Sequence, residues 1–122
     1  MAHKHICSGL VVTCIDFRFQ KIIEDWMQIY MGEGKYDRVA WAGGIFDSVG
    51  VIKQVDISVR LHDIKKLILM NHEDCGAYGK SGTHARHCAD LKEVKKKIAQ
   101  LHPQLKVETY FIHLDGVFEK IE

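Results

Sequence analysis

The sequence holds a single proline in 122 residues, and no stretch of it is low in complexity or repeated. That absence excludes proline-rich spacers, collagen-like repeats and flexible linkers, so nothing in the composition divides the chain. No 18 consecutive apolar residues occur, and Met1 to His5 lacks the apolar stretch of a secretory signal. Neither a membrane span nor export is expected, and the expected compartment is the cytoplasm. Charge of one sign is missing too: 17 basic residues against 16 acidic ones leave a formal +1. Such a chain projects no strong field toward nucleic acid or anionic lipid, so any partner must be selected by local chemistry.

What is present is an ordinary globular composition, 47% apolar and 27% charged, which predicts one domain over residues 1–122 around a single core. Four cysteines (Cys7, Cys14, Cys75, Cys88) and eight histidines are many for this length. In a reducing compartment they serve as thiols or ligands rather than disulfides, which directs attention to metal.

Along the chain, strands and helices alternate. Leu10 to Cys14 is short, apolar and rich in β-branched residues, as a strand buried on both faces would be. From about Arg18 to Met31 the apolar residues Ile22, Ile23, Trp26, Met27 and Tyr30 recur at helical spacing, and Gly32 and Gly34 supply the stop. Tyr36 to Trp41 reads as a second strand, followed by a tight turn at Ala42, Gly43 and Gly44. Asp47 to His62 carries both periods: Val55, Ile57, Val59 and Leu61 alternate with polar residues, yet Val51, Ile52, Val55 and Val59 make one helical stripe. A helix is expected, with Ile57 and Leu61 on its other side available to a second subunit. Lys66 to Asn71 is a third strand, followed by a polar loop from His72 to Thr83. Leu91, Val94, Ile98 and Leu101 mark a third helix, Lys106 to Leu114 a fourth strand, and Asp115-Gly116 a hairpin into Val117 to Ile121. The order βαβαβαββ predicts an α/β fold of three layers: a mostly parallel sheet in the order 2-1-3-4 with an antiparallel C-terminal edge strand.

In such sheets ligands bind beyond the carboxyl ends of the strands where the order reverses, here between strands one and three. Strand one runs out into Cys14-Ile15-Asp16-Phe17-Arg18 and strand three into Asn71-His72-Glu73-Asp74-Cys75-Gly76. A His and a Cys three residues apart can face one centre while a thiolate arrives from the adjoining strand, so Cys14, His72 and Cys75 form a three-ligand zinc site. Three protein ligands leave the fourth position to water, and zinc lowers the pKa of that water to about 7, giving a hydroxide nucleophile. Asp16 is placed either to accept a hydrogen bond from the water or to take the fourth position itself, and Arg18 to keep that carboxylate ionised and oriented.

Together, Cys14-x-Asp16-x-Arg18 and His72-x-x-Cys75-Gly76 resemble the zinc motifs of the β-class carbonic anhydrases, with Ala42-Gly43 and Asp115-Gly116 in matching order. The resemblance spans nearly the whole chain. It implies zinc on Cys14, His72 and Cys75, a catalytic dyad of Asp16 and Arg18 gating the fourth position, and reversible hydration of carbon dioxide to bicarbonate. It also implies a homodimer or an assembly of dimers. Gly43 and Gly76 are the expected substrate contacts. The chain departs from the family where Ala40-Trp41-Ala42-Gly43 replaces the usual Arg-Asn-Ala-Gly and where Phe17 replaces a common serine. Relatives of this fold also hydrolyse carbonyl sulfide or carbon disulfide. A third reading is a non-catalytic zinc protein whose site Asp16 closes permanently.

His84, His87 and Cys88 fall at i, i+3 and i+4, as the polar start of a helix over the mouth of the site would; the same spacing also offers a second metal site or a proton shuttle at His84 or His87. Cys7 is expected as a small buried hydrophobe, His3 and His5 as a terminus free of the fold, and Lys95 to Lys97 as a solvated face.

Overall fold

The computed structural model describes residues 4–122, so His3 lies outside the described residues. The chain runs β1 (Gly9–Thr13), α1 (Gln20–Tyr30), β2 (Tyr36–Ala40), α2 (Ser48–His62), β3 (Lys66–His72), α3 (His84–Leu101), β4 (Lys106–Ile112) and β5 (Phe118–Ile121). The sheet order is β2-β1-β3-β4-β5, parallel throughout except that β5 runs antiparallel to β4. This is the expected architecture.

Alternation along the central strands sorts their side chains into two cores. Val11, Ile68, Met70, Tyr110 and Ile112 point to one face and meet Phe19, Ile23 and Met27 of α1 and the turn before it. Leu10, Val12, Leu67 and Leu69 point to the other and meet Val51 and Val55 of α2 and Leu91, Val94 and Ile98 of α3. All five residues of β1 are buried, and each such Val or Leu contributes roughly 1.5–3 kcal/mol. These two layers of helices make the parallel sheet inaccessible and leave its carboxyl end as the place for chemistry.

Several boundaries differ from the sequence reading for identifiable reasons. Cys14 lies just past β1, and a 3-10 turn over Phe17–Phe19 precedes α1, because the Asp16 side chain accepts a hydrogen bond from the Arg18 amide at 2.9 Å. The ambiguous segment is a helix. Asp47 caps it by accepting from the Gly50 amide at 3.1 Å, and Val51, Val55 and Ser58 are its buried face. α3 begins at His84, a full two turns before its first apolar marker, because Thr83 caps the Arg86 amide at 3.1 Å. β4 ends at Ile112 and β5 begins at Phe118, so Asp115-Gly116 belongs to a five-residue connection rather than a two-residue turn. In that connection Gly116 has φ +90° and its amide donates to the His113 carbonyl at 2.9 Å.

Candidate metal centre

Cys14 stands at the end of β1, His72 closes β3, and Cys75 sits in the turn that follows. One ligand atom from each lies within 4.8 Å of the other two, and all three residues are buried. The two sulfurs are 4.0 Å apart and both thiols are free. His72 Nδ1 lies 2.7 Å from the Glu73 carbonyl oxygen. A carbonyl only accepts, so Nδ1 carries the proton and Nε2 presents its lone pair. That Nε2 is buried and has no hydrogen-bond partner. A buried acceptor left bare costs about 1–3 kcal/mol, and a soft divalent cation between one imidazole and two thiols would satisfy it; the residues present fit zinc.

The thiols are not alike. Burial alone raises Cys14, but the adjacent His72 ring, whose Nε2 can take up the thiol proton, and the Gly43 amide, 3.4 Å from the sulfur, outweigh it and bring the thiol down to about 7. Burial pushes Cys75 up, and the neighbouring Cys14 sulfur adds to the shift. One thiolate is thus available near neutrality before any metal arrives.

Asp16 and Arg18 converge as expected. Arg18 Nη2 donates to Asp16 Oδ2 at 2.7 Å and Nε to Oδ1 at 3.1 Å, and this clamp holds the carboxyl at about 2. Asp16 Oδ2 lies 3.8 Å from His72 Nε2, at the edge of the three-ligand cluster. The sequence reading missed the other anchor of Arg18: it also donates to Asp74 Oδ2 at 3.1 Å and to the Asp74 carbonyl at 3.0 Å. Asp74 adopts a left-handed conformation, φ +59°, which an aspartate tolerates. The only signal for it was its place between His72 and Cys75.

The glycine turn after β2 ties the site together. Gly44 has φ +60°, and a Cβ there would sit 2.6 Å from Asn71 Oδ1 and 2.7 Å from the Met70 carbonyl. That close approach lets the Ile45 amide donate to Asn71 Oδ1 at 3.1 Å. Gly43 is buried and gives its amide to Cys14; Gly76 is exposed with open space where a Cβ would be. Behind the centre, Asn71 Nδ2 donates to Tyr78 Oη at 3.0 Å and faces His87 Nδ1 at 2.8 Å, while Tyr78 Oη donates to Asp90 at 2.9 Å. None of this network was legible in the sequence, since a polar residue in a loop or helix gives no sign of being buried.

His87 therefore does not join His84 and Cys88. It is fully buried and turned toward Asn71. Burial first, then the nearby His72, push it down to about 4, so it does not titrate where a proton shuttle must. His84 instead meets Glu119, with Cys88 Sγ 3.6 Å from its Nε2. Cys7 is only half-buried and lies among Asp37 and His62. Lys96 and Lys97 are exposed and Lys95 is half-buried, close to the expected solvated face.

Residues 4–122 match the profile of a family described as Putative carbonic anhydrase. An uncharacterized protein of Rickettsia bellii is 31% identical over 133 residues, covering 93% of this chain and 81% of the relative. Among solved structures, a carbonic anhydrase from Glaciozyma antarctica superposes with a TM-score of 0.71 at 18% identity, covering 93% of this chain and 81% of that one. The apo form of a carbon disulfide hydrolase superposes with a TM-score of 0.62 at 16% identity, covering 96% and 81%. At such identities these two likenesses are of fold.

Proposed function

This chain belongs to the Putative carbonic anhydrase family, and from that premise we propose that it catalyses the reversible hydration of carbon dioxide to bicarbonate with zinc held by Cys14, His72 and Cys75. The observation that carries the reading is the bare, buried His72 Nε2 beside two free thiols, with an arginine-clamped carboxylate 3.8 Å away. Zinc bound there supplies a Lewis acid that brings water into ionisation near pH 7. The chain's own residues do the rest. The Glu73 carbonyl fixes the His72 tautomer, and the Gly43 amide and buried surroundings set the Cys14 thiolate. A carboxyl held at about 2 is a poor base at neutral pH, so Asp16 acts by accepting a hydrogen bond and orienting the incoming water rather than by taking its proton. Arg18 keeps it ionised and aimed. The product proton leaves to buffer, since His87 is neutral and buried.

We assign this site to one unit spanning residues 1–122, working in the cytoplasm, where free thiols persist. Among the described residues no helix is long and apolar enough to cross a membrane. Gly43 and Gly76 stay the proposed substrate contacts, Gly43 through its buried backbone. The unit works as a homodimer or an assembly of dimers, because large apolar side chains stand exposed around the carboxyl end of the sheet: Ile15, Phe17, Phe46, Val49, Leu114 and Val117.

The test is stopped-flow carbon dioxide hydration against pH with zinc brought to one per chain. Activity rising through one ionisation between about pH 6 and 9 supports the reading. No hydration above buffer, with zinc bound, refutes it. Hydrogen sulfide release from carbon disulfide or carbonyl sulfide would then favour the second reading, which the hydrolase-like fold motivates. Failure of both, with a site that accepts no added anion at any pH, would identify a zinc protein closed by Asp16.

A further inference from the structure

A second set of ligand atoms converges at the same end of the sheet, on different elements. His84 opens α3, His113 follows β4, and Glu119 lies in β5. His84 Nε2 is 2.9 Å and His113 Nε2 2.8 Å from the same oxygen, Glu119 Oε1. One ligand atom from each of the three falls within 4.8 Å of the others. The imidazoles lie nearly parallel, 24° apart with centroids 6.0 Å from each other. Both stand edge-on to the buried Phe111, at 4.9 and 5.0 Å, which sets their planes.

The far side of His113 is the telling feature. Its Nδ1 faces Glu73 Oε1 at 3.9 Å, and that oxygen is held in place by the Leu114 amide at 2.8 Å. Carboxylates thus flank the ring on both sides, Glu119 within hydrogen-bond reach of Nε2 and Glu73 further out on the Nδ1 side. A cation taking the Nε2 lone pair would leave the ring proton on Nδ1, on the side of Glu73. A carboxylate behind a histidine in front of a metal is the usual supporting arrangement at such sites. Two imidazoles and one carboxylate suit zinc, and three protein ligands leave room for water. All three side chains are accessible, with 33–51% exposure.

We infer that His84, His113 and Glu119 form a second zinc site, distinct from the thiol-lined centre, that ties β5 and the β4–β5 connection to the start of α3. Glu73 links the two centres, since its carbonyl orients His72 and its carboxylate faces His113.

The experiment is equilibrium dialysis of the stripped full chain against zinc, with bound metal counted, in the wild type and in the His113→Asn/Glu119→Gln double variant. A His84→Asn variant is run in parallel, and unfolding midpoints establish that each variant is folded. Cobalt(II) is substituted to identify the ligands by absorption. The expected result is one bound equivalent fewer in both variants than in the wild type, with the thiolate-to-cobalt absorption undiminished. An equal number of equivalents in wild type and variants overturns the inference and leaves the three residues as a hydrogen-bonded clamp. Cys14→Ser/Cys75→Ser separates this inference from the function proposed above. In that variant the thiolate absorption disappears, whereas the equivalent that depends on His113 remains; its disappearance as well would overturn the second site.

Discussion

Arg18 reaches two acceptors on two loops, the Asp16 carboxylate after β1 and Asp74 before Cys75, and so ties together the two strand ends that carry Cys14 and Cys75. Arg18→Ala should lower carbon dioxide hydration about 10–100-fold, the range for losing a group that orients a metal site, while zinc content stays equal to that of the wild type; stopped-flow rates and metal analysis check it. A full rate in Arg18→Ala would remove Asp16 orientation from the mechanism. A buried carboxylate, Glu108, lies away from the site toward the amino end of β4. Burial raises its pKa, but hydrogen bonds from Tyr110 at 2.7 Å, Tyr30 at 2.8 Å and the nearby Lys66 ammonium outweigh that and hold it at about 2. Its folded value lies below the ordinary 4.5, so its stabilisation is complete above about pH 4.5 and is lost as pH falls toward about 2. Urea midpoints measured across that window should fall, and Glu108→Gln should flatten the fall while costing about 1–3 kcal/mol at pH 7. At this scale Cys14, His72, Cys75, Asp16 and Arg18 could be singled out as candidates because the Cys-x-Asp-x-Arg and His-x-x-Cys spacings are local. Asp74, Asn71 and Tyr78 were not, because their partners arrive from other elements.

Among the elements, the turn after β2 carries the most constraint. Gly44→Ala places a methyl against Asn71 Oδ1 and the Met70 carbonyl in a left-handed backbone, and should cost about 2–4 kcal/mol. The cost comes from backbone that cannot move without pulling the turn after β2 away from Met70 and Asn71 at the end of β3. Thermal unfolding of the variant measures it, and a midpoint within a degree of the wild type would contradict the packing described. The glycine pair announced this turn in the sequence. The nature of α2 was less plainly written: its apolar residues fit both periods, and burial against β1 and β3 decided for the helix. β4 and β5 were correctly paired but overextended by one or two residues at the connection, where the His113 amide bonds to the Val117 carbonyl at 2.9 Å and draws the chain into a wider loop.

At the scale of the whole molecule, several large apolar side chains stand exposed. Phe17 is 86% and Val49 78% exposed, and Ile15, Phe46, Leu114 and Val117 are exposed as well. All six follow the carboxyl ends of parallel strands in the chain, and the proposed homodimer would cover them. Light scattering should give a mass of at least twice the 14.0 kDa chain, and Val49→Glu should shift it toward the monomer. A wild-type monomer at micromolar concentration would refute the homodimer.

By itself the sequence determined the layered α/β fold and the order of strands, and it singled out as candidates the five residues that converge at the thiol-lined centre. Those depend on hydrophobic period, chain connectivity and short spacings, all of which are local properties. Only the tertiary structure decided that His87 turns inward while His84 joins His113 and Glu119, that Arg18 also holds Asp74, and that His72 Nε2 is left bare. Those outcomes depend on which side chains distant in sequence share a buried space, and on how many acceptors compete there for each proton.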